Sequence, residues 1–86
     1  MADILIYTTA ACPYCLAAKN FLKARGLAYR EIRIDLDDAA RKEMLDKTQR
    51  TSVPQIFINE THVGGFDDLV AWDRSGKLQV LLEGAP

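Results

Sequence analysis

Eighty-six residues make one small domain, and a chain this short buries only about 60 % of the surface its unfolded form exposes. Hydrophobic residues at 49 % and charged residues at 27 % describe an ordinary globule rather than a disordered chain. A net charge of −1 without a basic block argues against nucleic acid or an anionic membrane as partner, and two cysteines are too few for a disulfide scaffold. The first residues carry no basic segment and the first apolar run is too short for a signal peptide or a membrane span, so cytoplasmic residence is expected.

Ile4 to Tyr7 is continuously apolar and reads as a strand buried on both faces. Pro13 suits the first position of a helix that runs to about Arg25 and stops at Gly26. Cys15, Ala18, Phe21 and Leu22 share its inner face. Tyr29 to Leu36 alternates, with Ile32, Ile34 and Leu36 on one side and Arg33 and Asp35 on the other, as an edge strand does. Asp37 and Asp38 cap a helix over about Ala39 to Thr48, with Ala40, Met44 and Leu45 inward. Ile56 to Ile58 is a second fully apolar strand, and Asn59-Glu60 turns it into a short strand over Thr61 to Val63. After Gly64-Gly65, Asp67 or Asp68 begins a helix offering Leu69, Val70 and Trp72 to the core, and Lys77 to Leu82 forms a last short helix after Ser75-Gly76. A βαβ unit, a helix, a β-hairpin and closing helices imply parallel pairing of the first two strands. The result is an α/β, thioredoxin-like fold: a four-stranded mixed sheet of order 2-1-3-4 with helices on both faces.

Both cysteines fall in Cys12-Pro13-Tyr14-Cys15, after a strand and at the start of a helix. A Cys-x-x-Cys in that setting is a redox motif. Unpaired N–H groups and partial positive charge at a helix N-terminus stabilise a thiolate, the nucleophile of disulfide exchange. Cys12 is therefore the nucleophile, and Cys15, one turn on and shielded, the resolving thiol. The competing readings are two buried hydrophobic cysteines or a zinc site. Zinc usually takes four ligands, and besides the cysteines the chain offers only His62, which reads as a strand residue rather than a ligand; no metal is expected. Pro54 belongs at a strand start, where no ladder donor is lost. Gly64-Gly65-Phe66-Asp67-Asp68 presents helix N-terminal amides suited to a carboxylate, with an Asp free to meet an ammonium; simple capping accounts for the same residues. Trp72 and Phe21 read as core, and Arg30, Arg33, Arg41 and Lys42 as solvated faces.

Three segments together, Cys12-Pro13-Tyr14-Cys15, Thr51 to Ile58 and Gly64 to Asp68, resemble the dithiol glutaredoxins, most closely their short bacterial glutaredoxin three type. The resemblance spans Ile4 to Leu82. It implies a glutathione-dependent thiol–disulfide oxidoreductase with a cis Val53–Pro54 bond. It also implies a glutathione site in which the Val53 backbone pairs with the cysteinyl unit and Tyr14 lies beside the sulfur. Gly65, Phe66 and Asp67 would hold the γ-glutamyl end, and Arg50 the glycyl carboxylate. Glutathione would be a co-substrate, with no tightly bound cofactor. Disulfide-containing or glutathionylated proteins would be the partners, and a monomer is expected. Many family members carry a lysine where this chain has Thr9, which implies a higher Cys12 pKa or weaker glutathione docking here. Two rival readings are a carrier of an iron–sulfur cluster held by Cys12 and glutathione, which Pro13 disfavours, and an electron donor served by thioredoxin reductase, which the intact Gly64 to Asp68 segment disfavours.

Overall fold

The apolar run after Asp3 becomes the centre of a four-stranded sheet. In the computed structural model, which describes residues 3–83, the elements in chain order are β1 (Ile4–Thr8), α1 (Pro13–Ala24), β2 (Arg30–Arg33), α2 (Asp38–Thr48), β3 (Gln55–Ile58), β4 (Thr61–Gly64), α3 (Phe66–Arg74) and α4 (Lys77–Glu83). The sheet order is β2-β1-β3-β4. β1 runs parallel to β2, pairing Tyr7 with Ile32, and antiparallel to β3, pairing Leu5 with Phe57 and Ile6 with Ile56. β3 and β4 form the antiparallel hairpin, with a register irregularity between Ile56 and Phe57.

Alternation along the two central strands divides the core. Ile4, Ile6, Ile56 and Ile58 face α1, α3 and α4, where they pack with Ala18, Leu22, Leu69 and Leu78. Tyr7 and Phe57 face the opposite side, where Ile34 and α2 residues Ala40 and Met44 meet them. A fully buried leucine contributes about 1.5–3 kcal/mol, so Leu22, with the buried Ala18 beside it, holds α1 and the cysteines at its start against the sheet. Phe21 and Trp72 are half-buried against the first cluster, and Lys77 Nζ lies 4.1 Å from the Trp72 ring centre. Val70 is half-buried and lies outside both clusters.

Several expectations shift. β2 ends at Arg33, and Leu36, expected inward, is 75 % exposed. A turn explains this: Leu36 N–H bonds to Arg33 O at 3.3 Å, and the Arg33 guanidinium grips Asp35 through two bonds of 2.6 and 2.7 Å. Leu45 is also largely exposed, because the buried stripe of α2 is only Ala40 and Met44, and Leu45 sits about 100° round the helix from Met44. α3 starts at Phe66, earlier than either aspartate, because the Asp68 carboxylate reaches back to accept the Gly65 N–H at 3.0 Å. β4 extends through Gly64, whose φ of 119° suits glycine alone, and a side chain there would collide with the Asp68 carboxylate. The stop of α1 and the Asp37 cap of α2 match their sequence signals, whereas Asp38, expected as a second cap, is the first residue of α2. Gly26 follows α1 with φ 69°, and Asp37 accepts the Ala39 and Ala40 N–H groups at 3.0 and 3.2 Å.

Tyr7 is wholly buried, and its hydroxyl donates to Glu43 Oε1 at 2.6 Å, tying β1 to α2. Burial, reinforced by Glu43, raises the Tyr7 pKa far above the ordinary phenol range. A raised folded pKa means that this stabilisation is complete below the unfolded value near about 10 and is lost as pH rises beyond it. Tyr7→Phe should cost about 1 kcal/mol in urea unfolding at neutral pH and flatten the decline of stability above about pH 10. An alkaline decline of unchanged slope in the variant would contradict this.

Candidate active site

The site forms where the C-terminal end of β1 delivers the chain to the start of α1. Three ties fix that passage. The buried Thr8 hydroxyl donates to Glu31 Oε2 at 2.6 Å, and Lys19 Nζ holds the same oxygen at 3.0 Å. The Thr8 hydrogen bond, then Lys19, draws the Glu31 pKa below the ordinary carboxylate value against the opposing effect of burial. Beyond Thr9, the Ala10 N–H donates to Asp35 Oδ2 at 3.2 Å. The Arg33 guanidinium, aided by that amide, lowers the Asp35 pKa to about 2.

Cys12 is the N-cap of α1, with an extended backbone (φ −136°, ψ 98°), and Pro13 occupies the first helical turn. Cys12 Sγ accepts the Cys15 backbone N–H at 3.1 Å, as a serine or aspartate oxygen would at this position. One of the orphan amides of the helix end is thus aimed at sulfur, where it stabilises negative charge once the sulfur is reduced. The two cysteines are joined in a disulfide with a Cα–Cα distance of 5.1 Å. Cys12 is partly accessible and Cys15 is 1 % exposed, so only the first sulfur is open to attack from outside.

Beside the disulfide lies a cleft of about 220 Å³. Tyr14, Arg50, Val53, Pro54, Gly65, Phe66 and Asp67 all line it, so the cleft brings together the seven residues that the resemblance implies for glutathione. The Val53–Pro54 bond is cis, and Val53 O lies 3.7 Å from Cys12 Sγ, which puts the cleft directly next to the sulfur. Tyr14 is 64 % exposed and stands over one end, with its ring 6.4 Å from that of Phe66. Phe66 in turn meets Phe21 edge-on at 6.4 Å. On the other flank, Cys12 opens onto a shallow depression shared with Thr9, Ala11, Pro13 and Leu16.

The opposite wall is the N-terminus of α3. The Phe66 and Asp67 amides are among the first of that helix and have no intrahelical acceptor. The structure separates the two aspartates. Asp68 caps Gly65 and approaches Arg50 Nη1 at 3.5 Å, whereas the exposed Asp67 side chain makes no hydrogen bond or ion pair among the described residues. The cleft thus offers helix N-terminal amides for a carboxylate, the Asp67 carboxylate for an ammonium and, beside Asp68, the Arg50 guanidinium.

Three lining residues escape a reading of the sequence: Ser52, Gln55 and Asp68 in this role. Gln55 is the informative one, a polar side chain only 1 % exposed at the head of an otherwise apolar strand. His62, the strand residue expected, bonds Gln55 Oε1 through Nε2 at 2.8 Å and stacks on Phe57 at 4.9 Å. Burial lowers its pKa below the ordinary histidine value, Arg50 acts in the same direction and Asp68 opposes them.

Comparison with known proteins fits this arrangement. The glutaredoxin family model matches residues 4–63. A glutaredoxin of Pseudomonas aeruginosa is 51 % identical over 82 residues, covering 95 % of this chain and 98 % of that protein. Glutaredoxin 3 of Escherichia coli is 48 % identical over 83 residues, covering 96 % of this chain and all of its own. The crystal structure of a buckwheat glutaredoxin–glutathione complex superposes with a TM-score of 0.86 at 30 % identity, covering 98 % of this chain and 81 % of that one. With its Cys-x-x-Cys at a helix start, its cis-proline beside the sulfur and a family model matched over most of its length, the chain belongs to the glutaredoxin family.

Proposed function

We propose that this protein is a glutathione-dependent thiol–disulfide oxidoreductase that reduces glutathionylated proteins and protein disulfides. The observation that carries the reading is the Cys12 sulfur at the helix N-cap, taking the Cys15 amide and adjoining a cleft suited to a peptide with several charged ends. The likeness to a glutaredoxin solved with glutathione supports the choice of peptide. Glutathione lies extended along the Val53 backbone, as an added strand would. Its γ-glutamyl carboxylate takes the Phe66 and Asp67 amides beside Gly65, its ammonium meets Asp67, and its glycyl carboxylate meets Arg50. Tyr14 flanks its sulfur, with Pro54 beneath.

For a glutathionylated protein, the Cys12 thiolate attacks the glutathione sulfur. The protein thiolate leaves and takes a proton. A second glutathione, as thiolate, then attacks the glutathionyl sulfur bound to Cys12, releasing oxidised glutathione and restoring the Cys12 thiolate. For a protein disulfide, Cys12 attacks one sulfur and expels the other as a thiolate. Cys15 then attacks the Cys12 sulfur of the mixed disulfide, freeing the second protein thiol and forming the Cys12–Cys15 disulfide. Two glutathiones reduce that bond and leave as oxidised glutathione. The chain works as a single domain and as a monomer in the reducing cytoplasm, where such cysteines are catalytic rather than structural.

Cys15→Ser should retain deglutathionylation and lose most reduction of a protein disulfide, both followed in an NADPH-coupled assay with glutathione reductase; equal loss of the two activities would contradict the division of labour. Thr9 stands where a lysine would add positive charge near the sulfur, and the nearby Lys19 is already engaged by Glu31. Thr9→Lys should therefore lower the Cys12 thiolate pKa in pH-dependent alkylation of the reduced protein. An unchanged profile would remove the role assigned to this position.

A further inference from the structure

Gln55 is a buried amide where an apolar side chain would fill the same space, since Ile56, Phe57 and Ile58 follow it in β3. Both ends of its carboxamide are used. Nε2 donates to Ser52 O at 3.0 Å and lies 3.4 Å from Ser52 Oγ. Oε1 faces His62 Nε2 at 2.8 Å, so that ring nitrogen must carry the proton. The imidazole is itself fixed by stacking on Phe57. His62 does not line the cleft, and its hydrogen bond to a lining residue is the one to Gln55.

The segment so held has no regular structure between α2 and β3. Its beginning is tied to α2: the Arg50 N–H donates to Thr48 Oγ1 at 3.0 Å, and that hydroxyl donates to Met44 O at 2.8 Å. Its second tie is the Gln55 amide on Ser52. Val53, whose carbonyl lies 3.7 Å from the Cys12 sulfur, comes next in the chain. Val53 lies outside any sheet ladder, so beyond the packing of its side chain against the Tyr7 and Phe57 cluster its backbone is placed by these side-chain bonds.

We propose that His62 is a positioning residue for the reaction: its Nε2–H locks the Gln55 amide onto Ser52 and so holds the Val53 backbone in register for the cysteinyl unit of the bound peptide. The ligand named here rests on the glutathione reading above. Without the His62 donor, Gln55 Oε1 loses its partner and the amide is free to rotate away from Ser52. The consequence falls on binding and not on the sulfur chemistry.

The test uses the full chain with a glutathionylated peptide in the glutathione reductase assay. His62→Phe keeps the ring on Phe57 and removes the donor, whereas His62→Gln restores an N–H of similar reach. His62→Phe should raise KM about three- to tenfold, the loss of one net hydrogen bond, with kcat held within about twofold. His62→Gln should recover most of the wild-type KM. Gln55→Met should match His62→Phe, and the double variant should be no worse than either single one, because both break the same relay. A wild-type KM in folded His62→Phe, or additive losses in the double variant, would overturn the proposal. The backbone amide resonance of Val53, followed by NMR, decides the matter independently of turnover. It should shift in His62→Phe and return in His62→Gln, and a resonance that stays in place overturns the positioning role. Absence of wild-type turnover would instead remove the glutathione reading and leave that NMR result as the judge of the relay.

Discussion

The hydrogen bond from the Cys15 amide to the Cys12 sulfur is the contact on which the rest of the structure turns. It is a helix cap in which sulfur replaces oxygen. The α1 N-terminus must leave its first amides without helical acceptors, and the sequence puts a polarisable, ionisable atom where they point. The same four residues that begin the helix are therefore the reactive group. A proline in the first turn costs nothing there, because its missing N–H would have had no helical acceptor. One turn of helix also sets the spacing that lets the second sulfur reach the first while its own burial keeps it from solvent.

That cap is useful only if the helix end is held still. The sheet does this from below and the side-chain ties do it from the flanks. β1 is paired on both edges, so the point at which the chain leaves it is fixed by two ladders. Thr8, Glu31 and Lys19 then link the strand end, β2 and α1, and Asp35 holds the Ala10 amide. Thr8 is buried but the charged groups are partly exposed, and an isolated ion pair among them would add little stability. Their effect here is geometric, since together they limit where Cys12 can sit relative to Val53 and the start of α3.

The central strands are legible in the sequence because both of their faces are buried, and continuous apolar runs as short as Ile4 to Tyr7 and Ile56 to Ile58 suit little besides a strand covered on both sides. Edges are less legible. Leu36 continues an alternating pattern by residue type, yet the strand has already ended in the Arg33–Asp35 turn, and Leu45 lies just off a stripe too narrow to include it. The cleft is legible only through resemblance, because its walls come from three separate segments that local patterns cannot bring together. Adjacent Asp67 and Asp68 are indistinguishable by type, and only the folded structure shows that the Asp68 carboxylate caps Gly65 while that of Asp67 has no partner among the described residues. Gln55 escapes notice because a polar residue ahead of an apolar strand reads as a boundary. Its burial and its bonds to Ser52 and His62 are tertiary facts.

If the helix cap governs the chemistry, the reduced protein should contain one thiolate far more acidic than a free cysteine. The most direct measurement is the thiolate ultraviolet absorbance of the reduced protein as a function of pH, repeated on Cys12→Ser. A first midpoint should fall within the range of about 3.5–7.5 typical of cysteines at helix N-termini, present in the wild type and absent from the variant. Two cysteines both titrating at or above about 8.5, or an acidic midpoint that survives loss of Cys12, would contradict it.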